Sequence, residues 1–275
     1  MAVRLFEESD HAAAYLQYRM TPKEMVTRIM DFMKPKVENK FNHCDKFNLA
    51  VDVGCGCGQG TVLLAPFFDQ VVGTDISPAQ LDVAQANNAR PNVTYRQCPA
   101  EELPLESNQV DLLVAMTAAH WFDRQRFPKE VDRVLKPGGC LALLSYATND
   151  MELEYGDATS ALNNICEELY AVLQPFRHPL ASTSNIYLEL FESCSYTDKE
   201  WNGRLRAKRT VTVNSYIGMV ETLSSYQTLK QQNAAGAKLL SDNIRNKLLG
   251  AMQVSSPETE LTMIINYFYM LARKP

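Results

Sequence analysis

Residues 49–77 read LAVDVGCGCGQGTVLLAPFFDQVVGTDIS, and no other stretch narrows the possible folds so far. The run Leu49, Ala50, Val51, Asp52, Val53 is short, apolar and partly β-branched, which predicts a buried strand. It passes directly into Gly54, Cys55, Gly56, Cys57, Gly58, Gln59 and Gly60, where every second residue lacks a side chain. That spacing is needed where a backbone turns sharply and lets a ligand come close. A helical stretch is expected over 61–68, then a second strand over 70–74 that ends on Asp75. The unit is strand, glycine turn, helix and strand, with a carboxylate at the second strand's tip.

In nucleoside-binding units of this shape the acid at that tip accepts hydrogen bonds from ribose hydroxyls. Asp75 follows Gly54 by 21 positions, close to the roughly 20 such units use. A dinucleotide fingerprint, G-x-G-x-x-G, would place its third glycine at position 59, which is Gln59. Asp52, two places before the first glycine, would repel a pyrophosphate and attract an ammonium group. The loop therefore suits a ligand with an amino-acid end better than one with a diphosphate.

The order Val51, Asp52, Val53, Gly54, Cys55, Gly56, Cys57, Gly58 resembles motif I of the class I S-adenosylmethionine-dependent methyltransferases. The resemblance implies an α/β fold: a Rossmann-like, seven-stranded, mainly parallel sheet in the order 3-2-1-4-5-7-6, with a helical lid insertion. It implies S-adenosylmethionine as cofactor and S-adenosylhomocysteine as product. Gly54, Gly56 and Gly58 would cradle the cofactor with Asp52, and Asp75 with Ile76 would meet the ribose. A glycine-rich turn without a ligand is the plainer alternative.

The length of 275 residues suits one elaborated domain. It divides into an N-terminal cap (1–48), a cofactor-binding core (49–146), a lid with strand six (147–255) and a last strand (256–275). A net charge of −5 argues against a broad phosphate-binding surface, hence no nucleic-acid partner. There is no N-terminal apolar h-region and no run of eighteen apolar residues, hence no membrane partner. A cytoplasmic monomer is expected. The seven cysteines are scattered; Cys55 and Cys57 are one residue apart, unlike a C-x-x-C pair, and no His stands near them. No metal site is expected.

In the N-terminal cap, Tyr18-Arg19-Met20-Thr21-Pro22 partly matches the aromatic-Arg-Pro-x-Tyr-Pro stretch of trans-aconitate-type small-molecule methyltransferases. On that resemblance Arg19 meets the cofactor's carboxylate and Tyr18 lies against its sulfonium; a surface arginine and a packed tyrosine are the alternative. Thr21-Pro22-Lys23-Glu24 reads as a capping box for a helix carrying Met25, Ile29, Phe32 and Met33, ended by Pro35. Ser77-Pro78-Ala79-Gln80 reads as a second box. After a third strand over 92–97, Ala100 and Glu101 match the family's positions at the adenine edge.

A fourth strand over 110–116 opens on Thr117-Ala118-Ala119-His120-Trp121-Phe122. Ligands of open α/β sheets sit beyond the carboxyl ends of strands at the switch in strand order. Thr117 should therefore touch the cofactor, with His120 and Trp121 facing the acceptor. The trans-aconitate branch carries a similar Ala-x-His-Trp-Phe stretch, so the resemblance covers about 45–146. His120 could serve as a general base, since its ordinary pKa is near 6.5, or as a packed polar residue. Lys136-Pro137-Gly138-Gly139 turns the chain into a fifth strand over 140–146.

Beyond that the resemblance thins. Residues 150–200 read as partly helical, and 201–213 as a half-buried strand whose basic face, Arg204, Arg206 and Lys208, guards a sheet edge. Asn214 reads as the cap of a helix whose Tyr216 and Met219 would face the acceptor pocket, and 261–271 as a buried last strand.

The expected enzyme transfers a methyl group to a small-molecule acceptor, with a carboxylate as one candidate, by in-line displacement. A protein or RNA methyltransferase is the rival, but Met116-Thr117-Ala118-Ala119 stands where an Asn/Asp-Pro-Pro-Tyr tetrad would be. A non-catalytic binding protein that keeps the cofactor fold is the other alternative, and a dehydrogenase the weakest.

Overall fold

The computed structural model describes residues 6–19, 21–34, 46–181 and 184–275. The chain begins with α1 (Ser9–Tyr18), α2 (Lys23–Met33), β1 (Phe47–Val53), α3 (Gln59–Leu64), β2 (Phe68–Asp75) and α4 (Pro78–Ala86). It continues through β3 (Val93–Gln97), β4 (Val110–Met116), α5 (Phe127–Val134), β5 (Leu135–Glu154), α6 (Thr159–Leu173) and α7 (Ser184–Ser193). It ends with β6 (Asp198–Thr212), α8 (Val213–Glu221), α9 (Ser224–Gln232), α10 (Ala234–Met252) and β7 (Glu260–Arg273).

The strands form one seven-stranded sheet in the order β3-β2-β1-β4-β5-β7-β6, as motif I implied. Pairing is parallel from β3 to β5, and β7 runs antiparallel between β5 and β6. Because side chains alternate along a strand, β4 sends Leu112 and Val114 to one face and Leu113 and Ala115 to the other. The first face belongs to a core with Met25, Ile29, Leu64, Leu162 and Ile217; the second shares a core with Phe127, Val131, Ile186 and Tyr187. Burial on both faces explains why β1 and β4 read as near-continuous apolar runs. β1 pairs with both β2 and β4, so the loops leaving β1 and β4 diverge and open a crevice over their carboxyl ends.

Several local expectations needed correction. The helix expected over 61–68 stops at Leu64 and tightens into a 3₁₀ turn through Pro66. Thr21 does not cap α2: the N-cap is Pro22, with no side-chain bond. Pro35 lies outside the described residues. Ser77 does cap α4, accepting from the Gln80 amide. The fifth strand runs past Tyr146 to Glu154, with a register shift between Tyr146 and Met151, because β7 offers a long antiparallel partner. Asn214 does not cap α8; Thr212 does, its hydroxyl accepting from the Ser215 amide at 3.1 Å.

The basic face of β6 is matched by acids two strands away. Arg206 reaches Glu152 at 2.8 Å and Lys208 reaches Glu154 at 3.1 Å, both crossing over β7. Such exposed pairs contribute about 0–1 kcal/mol each, but they offset most of the positive charge on that face.

Gly58 offers a stability test. It has φ +77°, and an added Cβ would lie 2.2 Å from the Tyr95 hydroxyl. Gly58→Ala should destabilise the fold by about 1–3 kcal/mol in urea titrations.

Candidate active site

The turn after β1 is held against β2 by two amides on one carbonyl: Gly54 N and Cys55 N donate to the Thr74 oxygen at 2.7 and 2.9 Å. The path requires positive φ at Gly54, Gly56 and Gly58. At Gly54 a Cβ would meet the Ala118 methyl at 2.5 Å, so this glycine lets the loop after β4 close in. Gly56 differs: Gln80 Oε1 at 3.3 Å is the nearest atom to a Cβ there, and its bare backbone borders the cleft. Gly58 does not line the cleft; its lack of a side chain makes room for Tyr95, and Gly60 lines the cleft instead.

Two aspartates sit in this cleft. Asp75 accepts from Gly56 N through one oxygen and from Ser77 N through the other, both at 2.9 Å. Burial raises its pKa while those amide bonds pull it back. A carboxylate has about four lone-pair sites, so acceptor capacity remains for hydroxyl groups. Asp52 is 1% exposed, and its Oδ2 accepts from the Thr61 hydroxyl at 2.7 Å. Its Oδ1 is buried and has no partner among the described residues. Burial pushes its pKa up to about 7. Ile76, Ala100 and Glu101 also border the cleft, and Glu101 holds the loop after β4 by accepting from Asp123 N at 2.7 Å.

The N-terminal cap closes one side. Gln59, the residue that departs from the dinucleotide fingerprint, donates from Nε2 to the carbonyls of Leu16 and Arg19 at 2.9 and 2.6 Å, which ties down the end of α1. Arg19 donates from Nε to the Thr222 hydroxyl at 2.7 Å and also bonds the Tyr146 hydroxyl. Its guanidinium lies 5.3 Å from the Tyr15 ring centroid. Cys57 is a tether rather than a passive small residue: its thiol reaches Gln80 Oε1 at 2.8 Å and the Ala12 carbonyl at 3.1 Å.

Tyr18 does not reach the cleft. Its ring packs on Gly218 of α8, where a Cβ would lie 2.5 Å away, and Tyr15 is the aromatic residue at the cleft. Neither of the residues expected from α8 borders this cleft. Tyr216 is fully buried and bonded to Cys166 and Tyr170, while Met219 lines a separate cavity. Phe6, Tyr15, Gln59, Tyr146 and Tyr267 line the cleft without having been foreseen. Only Gln59 left a trace in the sequence, as a break in a glycine pattern.

Thr117, directly after β4, borders the cleft with φ +64°, a strained value for a β-branched residue and one often found at functional sites. Beyond it the cleft meets a second chamber, which shares Thr117, Trp121, Arg19 and Tyr146 with it and adds His120 and Arg177. His120 is 5% exposed, and its Nδ1 lies 3.2 Å from the Tyr187 hydroxyl. Burial and the nearby Arg177 push its pKa down to about 3. It is neutral at physiological pH and a weak proton acceptor, which removes the support for a general-base role. Among the described residues, no cluster of His, Cys, Asp and Glu is placed to hold a metal ion.

Comparison with known proteins agrees with this geometry. Residues 51–143 match the methyltransferase domain family. A Dictyostelium discoideum protein named as a methyltransferase is 27% identical over 266 residues, spanning 95% of this chain and 92% of its own. The structure of a protein named as a type II methyltransferase, from Anaeromyxobacter dehalogenans, superimposes with a TM-score of 0.70 at 23% identity, covering 92% of this chain and 97% of that one. Phosphoethanolamine N-methyltransferase 2 of Haemonchus contortus, solved with phosphomonomethylethanolamine and S-adenosylhomocysteine, superimposes at 0.54 with 18% identity, covering 99% of this chain and 60% of that one.

The residues of the cleft fit S-adenosylmethionine. The unpartnered Asp52 oxygen matches an ammonium group, Asp75 matches ribose hydroxyls, and the backbone at Gly56 leaves the approach open. Only ionised Asp52 attracts the ammonium. Affinity for S-adenosylhomocysteine should therefore fall as pH drops below about 7, by up to roughly tenfold per pH unit. Calorimetry between pH 5.0 and 6.7, a range at least about one unit below the pKa of an α-amino group (about 7.7–8.0), checks this. Asp52→Asn should flatten the profile. Asp75→Ala should weaken binding at every pH, by about tenfold or more for the lost charged acceptor.

Proposed function

We propose that this S-adenosylmethionine-dependent methyltransferase methylates the oxygen of a small carboxylic acid. The observation that carries the reading is the separation of charge across the site. The cofactor cleft is bordered by Glu7, Asp52, Asp75 and Glu101, with Arg19 at its junction with the adjoining chamber. The adjoining chamber is bordered by Arg19 and Arg177 and, among the described residues, by no acid. An acidic cleft favours a cationic donor, and a chamber with two guanidinium groups favours an anionic acceptor. Burial lowers the Arg19 pKa, but an arginine stays charged at any physiological pH.

When bound, the cofactor supplies a methyl carbon already activated by its sulfonium and open to in-line displacement. The work left to the protein is alignment and exclusion of water, which can be worth about 7–11 kcal/mol of barrier. Tyr15, Trp121 and Tyr146 wall the junction of cleft and chamber, and Arg19 stands at it. A carboxylate is ionised at neutral pH and needs no base, in keeping with a buried, neutral His120 beside the chamber.

A protein or RNA acceptor finds less support, since the basic face of β6 is matched by Glu152 and Glu154. Among the described residues no helix is long and apolar enough to cross a membrane.

The test is a screen of carboxylates, phenols and amines for release of S-adenosylhomocysteine. Carboxylates should be the substrates. Arg177→Ala should raise their KM by about tenfold or more, the loss of one charged hydrogen bond, and leave cofactor affinity unchanged. Turnover of amines or phenols alone, indifferent to Arg177→Ala, would sink the proposal.

A further inference from the structure

β7 carries a row of residues on one face that leads away from the reaction centre. Tyr267 lies between Tyr146 on β5 and Leu205 on β6; Ile265 lies between Met151 and Ala207; Met263 lies between Leu153 and Arg209. Tyr146 and Tyr267 meet edge to face at 5.3 Å and border the cofactor cleft. On the far side of that pair, Met263, Ile265, Ala207 and Val211, with Met219 of α8, line a cavity of about 220 Å³. The cofactor cleft itself measures about 150 Å³.

Met219, Met263 and Ile265 are each 2–6% exposed, so the floor of this cavity is apolar and buried. Protein interiors keep few voids larger than a water molecule, because side chains facing a void lose their dispersion partners. Empty space of this size beside a reaction centre is therefore space for a ligand, and methionine walls adjust to varied shapes. The cavity shares Arg19, Tyr146 and Tyr267 with the cleft, and the hydrogen bond from Arg19 to Tyr146 is the partition between them. An anion that took the Arg19 guanidinium would compete with the Tyr146 hydroxyl and loosen that partition. The rest of the lining is more polar, with Gln17, Arg209, Thr210, Thr212, Ser215 and Glu260.

We propose that this cavity beneath α8 receives a hydrocarbon arm of the acceptor, so that the substrates are carboxylic acids with an apolar chain. The proposal rests on the reading of the acceptor as a carboxylate. Chain length then controls affinity: each buried methylene adds about three- to fourfold until the cavity is full.

Calorimetry of straight-chain carboxylates from acetate to decanoate, added to the full chain with S-adenosylhomocysteine present, tests it. Affinity should climb with chain length over part of the series. Ile265→Phe and, separately, Ala207→Val should shorten that climb, while acetate and S-adenosylhomocysteine bind as before. Retained S-adenosylhomocysteine binding identifies the variants that fold. Anions that bind equally well at every length overturn the cavity's role and leave the carboxylate reading standing. A climb that survives both substitutions places the chain elsewhere and also overturns it. If no carboxylate binds at any length, the reading of the acceptor falls, and this inference with it.

Discussion

Two amides on one carbonyl oxygen, Gly54 N and Cys55 N on Thr74, hold the turn on which the site depends. They are possible only because Gly54, Gly56 and Gly58 take positive φ and carry no Cβ into Ala118 or Tyr95. With the turn so placed, the Gly56 amide meets Asp75, and Gln59 comes within reach of the carbonyls at the end of α1. Gln59 in turn fixes the backbone of Arg19, whose guanidinium reaches Thr222 after α8. His11 strengthens the same junction with a ring nitrogen 3.1 Å from the Thr222 carbonyl. A local backbone conformation thus sets the position of α1, and through it the contact with the end of α8.

The second organising feature is electrical. Acids border the cofactor side, Arg177 borders the adjoining chamber and Arg19 borders both, with aromatic rings between them. Charges are screened less in a partly enclosed, low-dielectric site than in water, so this separation can discriminate between cationic and anionic ligands. The same burial that strengthens these fields makes His120 neutral and raises Asp52 toward neutrality. Burial therefore weakens one candidate for proton transfer and holds the Asp52 carboxyl near the pH at which it gains a proton.

Much of the fold was legible in residues 49–146. β-branched runs, alternate glycines and the acid at Asp75 are local signals, each with one physical meaning in that setting, and the strand order followed from the family they resemble. Ser77 as a cap was legible for the same reason. Tyr18 was not: Tyr15 and Tyr18 share one short helix, and which of them faces the cleft depends on how α1 docks on α8 and the turn. Tyr216 failed likewise, since a helical period identifies an apolar face but not what covers it. The length of β5 was hidden because its last residues pair with β7, more than a hundred positions further along the chain.

The sequence by itself determined the backbone chemistry of the cofactor site, because a glycine's freedom and a neighbouring aspartate's charge act over a few residues. Only the tertiary structure decided which distant side chains gather beside it. Arg19, Tyr146 and Arg177 lie far apart in the chain and converge on one chamber because α1 folds across the turn toward the end of β5. Contacts between such distant segments depend on how whole faces pack, and no local period or spacing encodes that.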